Sequence, residues 1–184
     1  MKITKQRLVE LNACKDGLDR FISQTNDTDK PVSIVSLIGG ENTIGDMTWL
    51  ASELRDKQNL VKFACKCSLI NIKLVKPYTD EYDFIIDFLN NPSDAAAHTA
   101  VGIVDTATRI IRNNNHTVHA AIASHDAICA MRAIRTAANA TYDIHTVNIY
   151  VAGAYAANTA HYVIEANPES KPIVEQYLKE LFTK

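Results

Sequence analysis

His116-Thr117-Val118-His119-Ala120-Ala121-Ile122-Ala123-Ser124-His125-Asp126-Ala127-Ile128-Cys129-Ala130-Met131-Arg132-Ala133-Ile134-Arg135-Thr136-Ala137-Ala138-Asn139-Ala140 is the stretch that decides the fold. Ala120, Ala123, Ala127, Ala130, Ile134 and Ala137 recur at spacings of three and four, which places them along one side of a long helix. Alanine is the strongest helix former, and its small side chain lets helix axes approach closely. Of the 23 alanines, 20 fall between Ala95 and Ala166, so the same reading extends to both sides of the stretch. Asp143 to Ala166 reads as a second helix whose face of Val147, Val151, Ala154, Ala157 and His161 is apolar except at its end. Upstream, Ser93 is placed to cap a helix through Ala96, Ala100, Ile103, Val104, Ala107 and Ile111.

Amphipathic patterning continues towards both termini. Between Asn59 and Val75, Leu60, Phe63, Ala64, Cys67, Ile70 and Leu74 form a stripe that leaves Lys62, Lys66 and Lys73 outside it, and Pro77 ends the helix. Thr79, Asp80 and Glu81 suit the start of a helix carrying Tyr82, Ile85, Ile86 and Leu89, which Asn90, Asn91 and Pro92 stop. Asn167-Pro168 breaks the chain again, and Ser170 or Pro172 opens a terminal helix bearing Ile173, Val174, Tyr177, Leu178 and Leu181.

The first sixty residues are divided by Gly39, Gly40 and Gly45. Val32 to Ile38 alternates like a strand. A lone strand leaves its backbone groups unpaired and no second strand-like run exists, so a short helix from Pro31 is expected. Leu8, Leu11, Leu18, Phe21 and Ile22 mark one long or two short helices around Ala13 to Gly17, and Asp46 is placed to cap a helix with Met47, Trp49, Leu50 and Leu54. The predicted fold is all-α, a multi-helix bundle of about seven to nine helices. It forms one domain over residues 1–184, with an N-terminal helical region (1–58) and an alanine-rich helical core (59–184).

Composition narrows the function classes. The chain has 184 residues, 47% hydrophobic and 22% charged, which is ordinary globular usage and long enough to bury a core. A net charge of -2 and a pI near 6.3 disfavour nucleic-acid binding. No signal-peptide h-region opens the sequence, and no run approaches the roughly 20 apolar residues that a bilayer requires, so a soluble, cytoplasmic protein without membrane partners is expected. Cys14, Cys65, Cys67 and Cys129 fit neither a disulfide framework nor a zinc ribbon. All four are therefore expected as reduced thiols and as small buried residues, and on a helix Cys65 and Cys67 point about 200° apart, which keeps them from chelating one ion.

Nucleotide-binding glycine loops, His-Glu-x-x-His and Gly-x-Ser-x-Gly do not occur. The remaining chemistry lies in the histidines: His116 and His119 are three apart, His125 precedes Asp126, and His98, His145 and His161 fall on neighbouring predicted helices. Bundle di-iron sites use Glu-x-x-His. Here the residues three before His98, His119, His125, His145 and His161 are Ala95, His116, Ile122, Tyr142 and Asn158, so neither metal nor cofactor is expected. His125 and Asp126, about 100° apart on a helix, make no dyad. Asp126, with Arg132 and Arg135 on following turns, is read as making polar contacts between helices. Tyr142, Tyr150, Tyr155 and Tyr162 could line a groove or seal the rim of the bundle. A ligand or partner site, if present, is expected among His119, Asp126, Arg132, Arg135, His145, Tyr155 and His161, and no catalytic residue is assigned.

Leu11-Asn12-Ala13-Cys14-Lys15-Asp16-Gly17-Leu18-Asp19-Arg20-Phe21 resembles the Ala-Cys-x-x-Gly-Leu-x-x-Phe opening of many bacterial and phage proteins. In those proteins a Trp-Leu helix such as Asp46-Met47-Thr48-Trp49-Leu50 follows. Phe63-Ala64-Cys65-Lys66-Cys67-Ser68, and Ala133-Ile134-Arg135-Thr136-Ala137-Ala138 with His145, are similar to the alanine-rich Imm-5-like domain of immunity proteins in bacterial polymorphic-toxin systems. One departure stands out: Ile149 occupies the place, four residues after His145, where a second histidine is expected, so a paired-histidine role does not transfer. The resemblance implies a non-catalytic protein that binds and neutralises a toxin partner. The alternatives are a phage or mobile-element accessory protein acting on a host component, and a helical metal- or ligand-binding enzyme using the C-terminal histidines. A homo-oligomer is compatible with any of these.

Overall fold

The alanine-rich sequence folds as three successive helices that pack side by side. The structure, a computed structural model, describes residues 1–54, 57–113, 118–142 and 149–183, and their side chains except at 118–124, 142, 149 and 150. Nine α-helices occur among these residues: α1 (Lys5–Glu10), α2 (Lys15–Thr25), α3 (Ile44–Leu54), α4 (Lys57–Ile70), α5 (Tyr82–Asn90), α6 (Asp94–Asn113), α7 (Val118–Tyr142), α8 (Ile149–Ala166) and α9 (Lys171–Thr183). The all-α bundle is the predicted fold.

On α7, Ala127, Ala130, Ile134 and Ala137 are buried as the spacing predicts, and Ala133, Ala138 and Ala140 join them. The side chains of Ala120 and Ala123, and the predicted helix start at His116, lie outside the described residues. Asp105 of α6 meets Arg135 of α7, and Thr108 of α6 meets Met131, so these two helices run antiparallel. Thr136 meets Thr159, and His125 meets Glu165, so α8 runs back along α7 in the same way. The α8 helix packs against α7, α4 and α3, which makes it the central element.

That position reverses the expected orientation of α8. Val151, Ala154 and His161 are exposed and Ala157 is only half-buried, whereas Ala152, Ala156, Ala160 and Val163 are fully buried. Alanine populates several faces of this helix, so periodicity alone does not choose between them. Val147 and the expected start at Asp143 lie outside the described residues.

The α4 stripe is buried at Leu60, Phe63, Ala64 and Cys67, but Val61, Cys65 and Ser68 are buried as well, because α7, α8, α9 and α5 surround this helix. It ends at Ile70, earlier than expected, and two 3-10 turns (Ile72–Leu74 and Lys76–Tyr78) carry the chain past Pro77. Buried Asn71 secures the end of α4 by donating to the Val163 carbonyl at 2.7 Å.

The short helix expected from Pro31 is only partly formed. Val32–Ser33 (β2) pairs antiparallel with Lys2–Ile3 (β1), and a 3-10 turn then covers Ile34–Leu37. The first residues of the chain supply the ladder partner that no strand-like pattern announces. Among the described residues, most buried hydrophobic side chains form one cluster running from Ile3 to Phe182. No helix among the described residues is long and apolar enough to cross a membrane.

Candidate functional site

The N-terminal helices enclose an open apolar groove. Its geometry begins with Cys14, whose extended backbone starts α2 and whose Sγ accepts from the Gly17 amide at 3.4 Å. A Cβ on Gly17 would lie 3.1 Å from Asp46 Oδ1, so glycine lets α2 approach the start of α3. One turn further on, Arg20 grips Asp46 with two hydrogen bonds of 2.8 Å. Asp46 also accepts from the Thr43 amide at 2.7 Å and hydroxyl at 2.8 Å, while Thr43 Oγ1 accepts from the Asp46 amide at 3.1 Å. This is a reciprocal capping box, so Thr43 is the cap and Asp46, the expected cap, is its third-position partner. Gln24 completes the frame: its Oε1 accepts from Asn42 Nδ2 at 2.7 Å and from the Glu41 amide at 3.1 Å.

Between these fixed elements lies a cavity of about 330 Å³, with Leu8, Phe21, Leu37, Met47, Trp49 and Leu50 as its apolar wall and Asn12, Cys14 and Asp46 among its polar lining. Burial alone would raise the Asp46 carboxyl pKa, but Arg20 and Thr43 outweigh it and hold it below the ordinary value. A carboxyl depressed in the folded state stabilises the fold above the unfolded pKa of about 4, and that stability is lost as pH falls through the folded value. Asp46→Asn is therefore expected to be less stable than wild type at neutral pH, with the gap closing in strong acid. Urea melts across the acid range check this; a gap independent of pH would contradict it.

A second cluster lies where α7 meets α8. His125 Nε2 stands 3.7 Å from Cys129 Sγ and 3.5 Å from Glu165 Oε1, and the ligand atoms of these three residues all lie within 4.8 Å of one another. His161 Nε2 is 3.6 Å from Glu165 Oε2. Burial, and then the Glu165 charge, push the Cys129 thiol up to about 11, so it is protonated at neutral pH.

The residues expected to form a site are dispersed. His161 belongs to this cluster, and Arg132 lies beside it with its guanidinium 5.6 Å from the Tyr162 ring centre. Asp126 is half-buried on α7, and its charge contributes to the raised Cys129 pKa. Arg135 makes a contact between helices, with Asp105 of α6 at 3.1 Å. Tyr155 packs against the core away from the cluster. The His119 side chain, His145, and the side chains of Tyr142 and Tyr150 lie outside the described residues.

Cys129 and Glu165 are the residues that sequence reasoning missed. Their signal was present: His125 and Cys129, and His161 and Glu165, are both spaced by four, which stacks each pair on one helix face. A search restricted to the Glu-x-x-His spacing passes over them. All four cysteines are free; Cys65, Cys67 and Cys129 are buried as expected, but Cys14 is exposed and caps α2. Burial pushes the Cys65 thiol up to about 12 and raises that of Cys67, which suits inert core positions.

The chain matches no protein-family model, no curated protein and no solved structure.

Proposed function

We propose that this protein is a non-catalytic binder that neutralises a toxin-like protein partner by seating an apolar side chain in the groove between α1, α2 and α3. The observation that carries this reading is the convergence of two stretches. Ala13, Cys14, Gly17 and Phe21 come from the segment that resembles the opening of many bacterial and phage proteins, Asp46, Met47, Trp49 and Leu50 come from the Trp-Leu helix that follows it in those proteins, and both line the same cavity.

The chemistry of the lining supports binding over turnover. Asp46 is held by Arg20 and Thr43, and Cys14 Sγ accepts from the helix it caps. These groups shape the rim and are already engaged, while the wall is apolar. At about 330 Å³ the cavity is at the small end for ligand pockets, with room for one or two large side chains, the way interface anchors are taken up.

A partner copurified from the native host and then titrated in pure form tests this. Inhibition should saturate at one equivalent. Ala13→Trp, which fills the groove from its half-buried edge, should weaken binding by at least about tenfold, a loss of about 1.4 kcal/mol. Glu180→Ala, at the α4–α9 surface, should leave binding unchanged. Progressive inactivation by substoichiometric protein, or full affinity in Ala13→Trp, would reject the reading. A host component as the retained partner, in place of a toxin, would select the phage-accessory alternative.

A further inference from the structure

We propose that His125, Cys129 and Glu165 form a binding site for one divalent transition-metal ion of the zinc class at the α7–α8 seam. The inference is independent of the groove and of the function proposed for it, since it uses other residues on other helices.

The geometry supplies the argument. Four-residue spacing stacks His125 and Cys129 on one face of α7, and the antiparallel course of α8 brings Glu165 against that face. Tetrahedral zinc has bonds of about 2.0–2.3 Å, so its ligand atoms must lie about 3.3–3.7 Å apart. The observed separations are 3.5 Å for imidazole to carboxylate and 3.7 Å for thiol to imidazole. Two edges of the tetrahedron therefore exist already, and capture of an ion requires adjustment of side chains, not movement of the helices.

The donor set selects the ion. One sulfur, one nitrogen and one oxygen suit borderline zinc or cobalt, whereas calcium and magnesium take oxygen ligands. Charge also balances: binding displaces the Cys129 thiol proton to solvent, and the resulting thiolate with the Glu165 carboxylate neutralises the dication. Cys129 is fully buried, while the His125 and Glu165 side chains are 56% and 34% exposed, so an ion reaches the thiol from the solvent side. The fourth position faces that side. His161, 72% exposed and 3.6 Å from the second Glu165 oxygen, stands beside it.

Cobalt titration of the chelator-treated protein tests the site. One equivalent of Co²⁺ should produce a thiolate-to-cobalt charge-transfer band in the near ultraviolet with the strong visible bands of four-coordinate cobalt, and one equivalent of Zn²⁺ should remove both. Cys129→Ser should abolish the ultraviolet band. His125→Gln and Glu165→Gln, both at exposed positions, should each weaken binding by at least about tenfold. Glu180→Gln should bind as wild type, and circular dichroism should show every variant folded. Absence of the band in the wild-type protein overturns the proposal without recourse to any variant. Its survival in folded Cys129→Ser does the same, by assigning the thiolate to another cysteine.

Discussion

Phe21→Ala is expected to lose about 3–5 kcal/mol of folding stability, the usual cost of removing a buried aromatic ring. Phe21 is 1% exposed and is the buried residue of α2, so it carries most of that helix's attachment to the core. It also lines the groove. Deleting the ring joins the new void to the existing cavity of about 330 Å³, and a space open to solvent cannot be closed by small shifts of Leu8 or Leu37. Urea-induced unfolding, monitored at Trp49 of the same cavity, gives the measurement. A loss under about 1 kcal/mol would mean that α2 is held by its polar contacts, chiefly Arg20 to Asp46, and that the ring contributes little.

Gly153→Leu is expected to destabilise the protein by about 1–3 kcal/mol through overpacking. A Cβ at Gly153 would lie 2.9 Å from the Ser52 Cβ and 3.6 Å from the Thr48 carbonyl oxygen. The Ser52 side chain is held in turn by its 2.6 Å hydrogen bond to the Trp49 carbonyl, so it has little freedom to yield. The collision is between α8 and α3, and α8 cannot retreat because α7 and α4 press on its other sides. Gly102 of α6 provides the contrast. A Cβ there meets nothing within 4 Å, so Gly102→Ala should gain about 0.5–1 kcal/mol from helix propensity alone. Thermal melts of the two variants should move in opposite directions. Equal destabilisation would show that both glycines act through backbone conformation and that close approach is irrelevant.

The candidate sites were only partly legible in the chain. The Ala-Cys-x-x-Gly-Leu segment and the Trp-Leu helix stand out as separate motifs, yet nothing in their spacing says that they share a cavity. Arg20 and Asp46, 26 residues apart, are joined only by the fold. At the α7–α8 seam the four-residue pairs can be read locally, but their meeting depends on the register of two antiparallel helices. His161 was singled out, while Glu165, its partner, was not.

Sequence alone determined the helical class, the chain breaks at Asn90–Pro92 and Asn167–Pro168, the cap at Ser93 and the free thiols. The helical class, the breaks and the cap rest on interactions within a few residues, where propensity, proline sterics and capping act directly; the free thiols follow from the scattered cysteine spacing. Tertiary structure decided which face of α8 is buried, how Val32–Ser33 finds its strand partner, and which polar side chains meet. Alanine is small and weakly hydrophobic, so an alanine-rich helix has no single dominant apolar face. Its orientation is chosen by where neighbouring helices can approach most closely, as α3 does at Gly153.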